Sequence, residues 1–105
     1  MIVIFEQEYL GELYEVGQAN DKKHRFQPQI VRKYIRIVDL MKEQANVMDL
    51  TKYVGLHYEH LHGDKDGLSS VKVNDQYRIE FREILEGDKT IAEVVGITEL
   101  SNHYK

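Results

Sequence analysis

The hydrophobic period of this chain changes once, and that change limits the folds open to it. Up to about residue 44 the apolar residues recur at helical spacing; from Leu56 onward they alternate. Tyr9, Leu10, Leu13 and Val16 give a first helix, from about Glu6 to Val16, one apolar face, and Gly17 is a suitable stop. Pro28 suits the first turn of a second helix, where its missing N–H costs nothing. Ile30, Val31, Tyr34, Ile35, Val38 and Met41 line its stripe through to about Gln44. Ahead of both helices, Ile2, Val3 and Ile4 read as a short buried strand.

After the switch, "LHYEHL" reads as a strand and "HGDKDG" as a loop of turn formers. Leu68, Val71 and Val73 begin the next strand, and Asn74 and Asp75 turn it. Tyr77, Ile79 and Phe81 alternate with Arg78, Glu80 and Arg82, so one face is apolar and the other charged. "EGDK" turns the chain again before a last strand, "TIAEVVGITEL", with Gly96 a candidate bulge. The expected fold is α+β: an N-terminal strand and two helices packed on one face of a mostly antiparallel sheet of about four to five strands. With 105 residues, one proline and no repeat or linker, residues 1–105 read as one domain.

Composition removes several function classes. There is no cysteine, so disulfides, thiolate catalysis and cysteine-bound zinc are excluded. "MIVIFEQEYL" lacks the basic start and long apolar core of a signal peptide, and no apolar run nears the about 20 residues that span a bilayer. A cytoplasmic protein without a membrane partner is expected. The net charge of −4 argues against nonspecific coating of nucleic acid. The mean hides an asymmetry, however. Glu6, Glu8, Glu12 and Glu15 come first; Lys22, Lys23, Arg25, Arg32, Lys33 and Arg36 follow with no acid among them. Two helices stitched side by side by opposite charge is the favoured reading of that pattern, and a basic surface for RNA is the other.

Among candidate chemistries, His60 and His62 would share a face of a strand, with His57 opposite. A metal would need a third ligand that no spacing nominates, so no metal site or cofactor is expected; a surface pair, or one histidine doing acid–base work, is the favoured reading. "HGDKDG" lacks the phosphate-loop pattern, Ser69 and Ser70 lack triad partners, and Glu80 and Glu83 read as sheet surface. Arg78 and Arg82 share a strand face. They form either a salt-bridged surface or, with Lys72 across the hairpin and Lys65 in the loop, a cationic face for an RNA backbone.

The stretch "LHGDKDGLSSVKVNDQYRIEF" resembles the signature of HigB-like toxins, in the RelE/ParE superfamily of toxin–antitoxin modules. The matching positions are Leu61, His62, Gly63, Asp64, Gly67, Ser69 or Ser70, Val73, Asn74, Asp75, Gln76, Tyr77, Arg78, Ile79 and Phe81. They cover about a fifth of the chain, and the order of elements around them agrees with a RelE/ParE-like fold. The resemblance implies a toxin that inhibits translation by cutting mRNA in the ribosomal A site without a metal. Its partners would be the ribosome, mRNA and a cognate HigA-like helix-turn-helix antitoxin. A relative that acts by protein binding, as ParE-type toxins poison DNA gyrase, or that has lost activity, is the alternative.

Carried over by position, Arg78 is the phosphate-binding candidate and His62 stands where the family has lysine in K-G-D. Lys72 matches a position often basic. His103 and Tyr104 would replace a C-terminal Asp-Tyr-His cluster whose order this chain lacks. The implied catalytic set is thus His62, Arg78, His103 and Tyr104, with Lys65, Lys72 and Arg82 binding phosphate.

Overall fold

The computed structural model describes residues 1–102. Strand β1 (Ile2–Phe5) leads into helix α1 (Glu8–Glu15), helix α2 (Pro28–Glu43) and four further strands: β2 (Glu59–His60), β3 (Leu68–Lys72), β4 (Tyr77–Ile84) and β5 (Val94–Asn102). Single turns of 3₁₀ helix fill Lys22–His24, Val54–Leu56 and Gly63–Lys65, and a longer one spans Val47–Lys52. The five strands form one sheet in the order β1-β5-β4-β3-β2. β1 runs parallel to β5, with Ile2 opposite Val94, and every other pair is antiparallel.

Both helices lie on one face of this sheet, as their apolar stripes require. α1 buries Tyr9, Leu10 and Leu13; it stops near Gly17, whose φ of +89° suits a residue without Cβ, while the expected Val16 is left 74% exposed. α2 starts at Pro28 and buries Ile30, Val31, Tyr34, Ile37, Val38 and Met41. Ile37 replaces Ile35 in the expected stripe, because α2 is packed by α1 as well as the sheet and its buried face centres on Tyr34, Val38 and Met41. The Tyr34 hydroxyl donates to the Leu10 carbonyl at 2.8 Å and ties the two helices together. Phe81, Ile79 and Ile97 close the core from the sheet side.

Three local expectations need correction. β1 is an edge strand and is not buried on both faces: Val3 and Phe5 pack on the core, whereas Ile2 and Ile4 are 61% and 46% exposed. "LHYEHL" is a strand only over Glu59–His60, because His57 takes a left-handed φ of +46° that breaks the run. The bulge lies near Thr98, where Glu80 pairs with Glu99 and Phe81 with Ile97. Gly96 is instead a close approach: the place of a Cβ there is occupied by the Glu6 carboxylate.

The charge pattern of the helices also resolves differently from the favoured reading. Among the described residues no ion pair joins α1 to α2. Besides the Tyr34–Leu10 hydrogen bond, they meet through Tyr14 donating to Asp39 and the Lys42 ammonium 4.3 Å from the Tyr14 ring centre.

Candidate active site

The face of the sheet away from the helices carries the charged half of the β4 alternation. In register, Arg78 lies between Lys72 on β3 and Ser101 on β5, and Glu80 between Ser70 and Glu99. The β3–β4 turn holds this register. Asn74 Oδ1 accepts from the backbone N–H of Gln76 at 2.8 Å and of Tyr77 at 2.7 Å, which is why an Asn opens the turn.

Over this face folds the loop after β2. Gly63 and Gly67, with φ of +68° and +93°, allow one tight 3₁₀ turn between them. That turn brings Lys65 down onto β4. Its ammonium donates to Glu80 Oε2 at 2.6 Å and lies 3.5 Å from Ser101 Oγ. The Glu80 side chain is only 6% exposed. A buried carboxylate needs such a partner, since an unpaired charge out of water is costly. Glu80 was expected on the sheet surface beside Glu83. The two acids instead differ, with Glu80 buried on the free face under Lys65 and Glu83 on the other side, bonded to Tyr58 and Ser69.

Between the loop and β4 opens a cavity of about 400 Å³, lined in part by His62, Lys65, Arg78, Glu80 and Ser101. Arg78 is 18% exposed, so its stem is held while its head faces the cavity. One guanidinium nitrogen, Nη1, is 3.2 Å from Glu59 Oε1 and 3.5 Å from Ser70 Oγ. Glu59 is itself half in water, and a guanidinium has five N–H donors, so the contact leaves donors for a further anion. His62 lies on the rim, exposed, past the end of β2.

The structure therefore brings His62, Lys65 and Arg78 to one concavity. Lys72 and Arg82 do not line it. Lys72 pairs with Asp75 of the turn at 2.9 Å, and Arg82 pairs with Glu6 at 2.8 Å. His103 and Tyr104 lie outside the described residues. The expected pairing of His60 with His62 on one strand face is altered, because β2 ends at His60. His60 bonds to Ser69 on the helix side, whereas His62 follows the loop. No group of three metal-ligating side chains occurs among the described residues, nor does any described helix have the length and apolarity to cross a membrane.

Sequence reasoning missed Glu80, Glu59 and Ser101 as parts of the site. Glu80 had a signal, since it alternates in phase with Arg78 and Arg82. What hid it was the cover, supplied by a loop whose path the alternation of β4 does not determine.

The family described as "RelE-like toxin of type II toxin-antitoxin system HigB" matches residues 3–94. The chain belongs to the HigB-like toxin family. It is 31% identical over 83 residues to Toxin HigB-1 of Vibrio cholerae serotype O1, an alignment covering 78% of this chain and 83% of that one. Among solved structures, the YoeB/ParE toxin from Agrobacterium tumefaciens superposes with a TM-score of 0.55 at 20% identity, covering 99% of this chain and all of the other. The YoeB-YefM complex from Staphylococcus aureus gives 0.52 at 14%, covering 99% and 98%. These structures support the fold. The toxin matches its family across both helices, the covering loop and most of the sheet.

Proposed function

We propose that this type II toxin is a ribosome-dependent endoribonuclease that cuts mRNA in the A site. The observation that carries the reading is the convergence of Lys65 and Arg78, with His62 at the rim, on one open cavity of the helix-free sheet face. The chemistry needs only groups of these types. The 2′-hydroxyl of the RNA attacks the adjacent phosphorus, and the bond to the 5′-oxygen breaks. Negative charge builds on the non-bridging oxygens, where a guanidinium and an ammonium stabilise it. Arg78 and Lys65 fill that role, Glu80 fixes the Lys65 ammonium, and His62 moves a proton on or off a ribose oxygen. Because the nucleophile belongs to the RNA, no metal or cofactor is called for.

Lys72 and Arg82 enter this reading as outlying phosphate contacts on the same sheet. His103 and Tyr104 enter it on sequence alone, as further proton-handling groups. The negative net charge suits a substrate delivered by the ribosome rather than captured free. The regulating partner in this reading is a HigA-like helix-turn-helix antitoxin. The Staphylococcus aureus neighbour is itself a complex, of YoeB with YefM. The ribosome sets its place of action in the cytoplasm.

A second reading, a non-RNase relative acting by protein binding, is favoured by one observation: both cavity cations already hold carboxylates, Arg78 with Glu59 and Lys65 with Glu80. Primer extension on programmed ribosomes separates the two. A-site cuts by the wild type, lost at least a hundredfold in a folded Arg78→Ala, are expected, since removing one donor to a developing oxyanion costs about 10²–10³ in rate. No cuts from folded wild-type protein would move the reading to the second class.

A further inference from the structure

Across the loop that follows β2, on the helix side of the sheet edge, lies a second cavity of about 330 Å³, and it meets the phosphate cavity at Leu61 and His62. Its polar wall is a network the mechanism above does not use. Tyr58 and Ser69 both donate to Glu83 Oε2, at 2.5 and 2.6 Å. Since the Ser69 proton is committed to Glu83, its Oγ can only accept at 3.0 Å from His60 Nδ1. His60 Nδ1 is therefore the donor in that contact. Burial, then the Glu83 carboxylate, pushes the Tyr58 hydroxyl far above its usual range, so it remains a donor. Among the described residues nothing hydrogen-bonds Glu83 Oε1.

This network is not a nucleophile site. Ser69 is 2% exposed and its proton points to a carboxylate, not to the histidine. One Glu83 oxygen is clamped by two hydroxyls, and the His60 ring, two-thirds exposed, is backed edge-on by Tyr58 at 5.7 Å. Tyr58 in turn lies over Phe81 in the core.

The two cavities differ in charge. The first sets Lys65 and Arg78 beside Glu80 and Glu59; the second has no lysine or arginine in its lining but holds Glu83 and Asp66 with two imidazoles, one of them, His62, shared. A nucleotide has that same polarity, with an anionic phosphate next to a neutral base edged with N–H donors and a flat π-face. Bases splayed from single-stranded RNA are held in this way, stacked on an aromatic or histidine ring with their edges hydrogen-bonded.

We infer that the second cavity is a nucleobase subsite for a base carrying an exocyclic amine, with Glu83 Oε1 as acceptor and the His60 ring as stacking wall. The inference rests on the RNA-cleavage reading above and adds a selection rule to it. A carboxylate only accepts, so it receives the amine of adenine, cytosine or guanine. Uracil is the one RNA base without an exocyclic amine; its N3–H could still donate, but the carbonyls on either side of it would face the carboxylate lone pair to lone pair. Uracil is therefore the base held most weakly at this position.

The test is binding of the four nucleoside 3′-monophosphates to the full chain, followed by NMR on the ring signals of His60 and Tyr58, with inorganic phosphate titrated alone as reference. The adenine, cytosine and guanine nucleotides are expected to shift those rings and to bind roughly tenfold tighter than the uracil nucleotide. Glu83→Gln retains an oxygen for Tyr58 and Ser69 but no longer offers an acceptor-only wall, and the preference against uracil should fall to less than twofold. Its melting curve reports whether the variant folds. If it does not, Tyr58→Phe, which frees one clamp of Glu83, is expected to weaken the same preference. Equal binding of all four nucleotides, or a preference undiminished in a folded Glu83→Gln, overturns the subsite. Phosphate shifts at Arg78 without base-dependent shifts at His60 overturn the subsite and leave the cleavage reading standing. Absence of any shift at either cavity overturns the subsite and removes support from the cleavage reading as well.

Discussion

Raising the pH is expected to unfold this domain through its tyrosines. Tyr34 is fully buried, with its hydroxyl donating to the Leu10 carbonyl at 2.8 Å. Ionising it would set an oxyanion against that carbonyl oxygen. Burial above all, with Tyr9 and Tyr14 adding to it, holds its pKa far above the ordinary value. Tyr9 is 4% exposed, and burial pushes it up to about 12 even though its oxygen accepts from the Leu100 N–H. In the unfolded chain both would ionise near 10. Below that pH the two states bind the same protons at these sites, and stability is undiminished. Above it the unfolded state binds fewer protons than the folded one, so stability falls as pH rises.

Each phenol held protonated lowers stability by about 1.4 kcal/mol per pH unit, and Tyr34, Tyr9 and the likewise raised Tyr58 together by about 4.1. A domain at the low end of ordinary stability, about 5 kcal/mol, then unfolds between about pH 11 and 12. The chain has seven tyrosines and no tryptophan, so tyrosinate absorbance counts ionised phenols cleanly, and circular dichroism follows the fold. Part of the tyrosinate signal is expected only in step with cooperative loss of structure. In Tyr34→Phe the slope of stability against pH should be shallower by about 1.4 kcal/mol per unit. A single smooth titration of all seven phenols near pH 10, with the fold intact, would refute the reasoning.

Two substitutions probe the free sheet face. Lys65→Ala leaves the buried Glu80 carboxylate without its ammonium; because Lys65 is 42% exposed, water replaces part of the contact. The loss is expected to be about 1–2 kcal/mol, below the 3–5 of a fully buried pair. A calorimetric midpoint lower by roughly 5–15 °C, partly restored by adding Glu80→Gln, is the outcome to look for. Gly96→Ala should displace the flexible Glu6 carboxylate and break its pair with the half-exposed Arg82, costing less than about 1 kcal/mol in urea unfolding; a much larger loss would mean that the backbone, not the side chain, gives way.

What the sequence disclosed follows from which forces act locally. The two helices and the β3–β4 hairpin were legible because burial on one face imposes a period that reads directly as 3.6 or 2. The family motif, with Asn74 at the turn and Arg78 on β4, pointed to the sheet face where His62, Lys65 and Arg78 line one cavity. Ile2 and Ile4 misled, since an apolar run does not say whether a strand lies at the centre or the edge, and β1 pairs only with β5, some ninety residues on. Glu80 misled for the opposite reason: a charge in phase with two arginines reads as surface until a loop is laid over it. The acidic and basic helices suggested mutual pairing, but helix rotation is set by the apolar stripes, and those turn the charges away from each other. Tyr58, His60, Ser69 and Glu83 come from three separate segments, and no spacing announces their network.

The position of β5 in the sheet bears on how the protein comes into being. β5 is synthesised after every other strand, yet it lies between β1 and β4. A growing chain that lacks it holds β1 with the helices and β4 with the hairpin, and no backbone ladder joins them. Pairing β1 with β5 closes a long loop, which is slow to form by chance, so closure of the sheet waits until β5 has been made. Ser101, beside Lys65 and Glu80, arrives with the same strand. A toxin assembled in this order has no closed cavity on its free sheet face until β5 has been made.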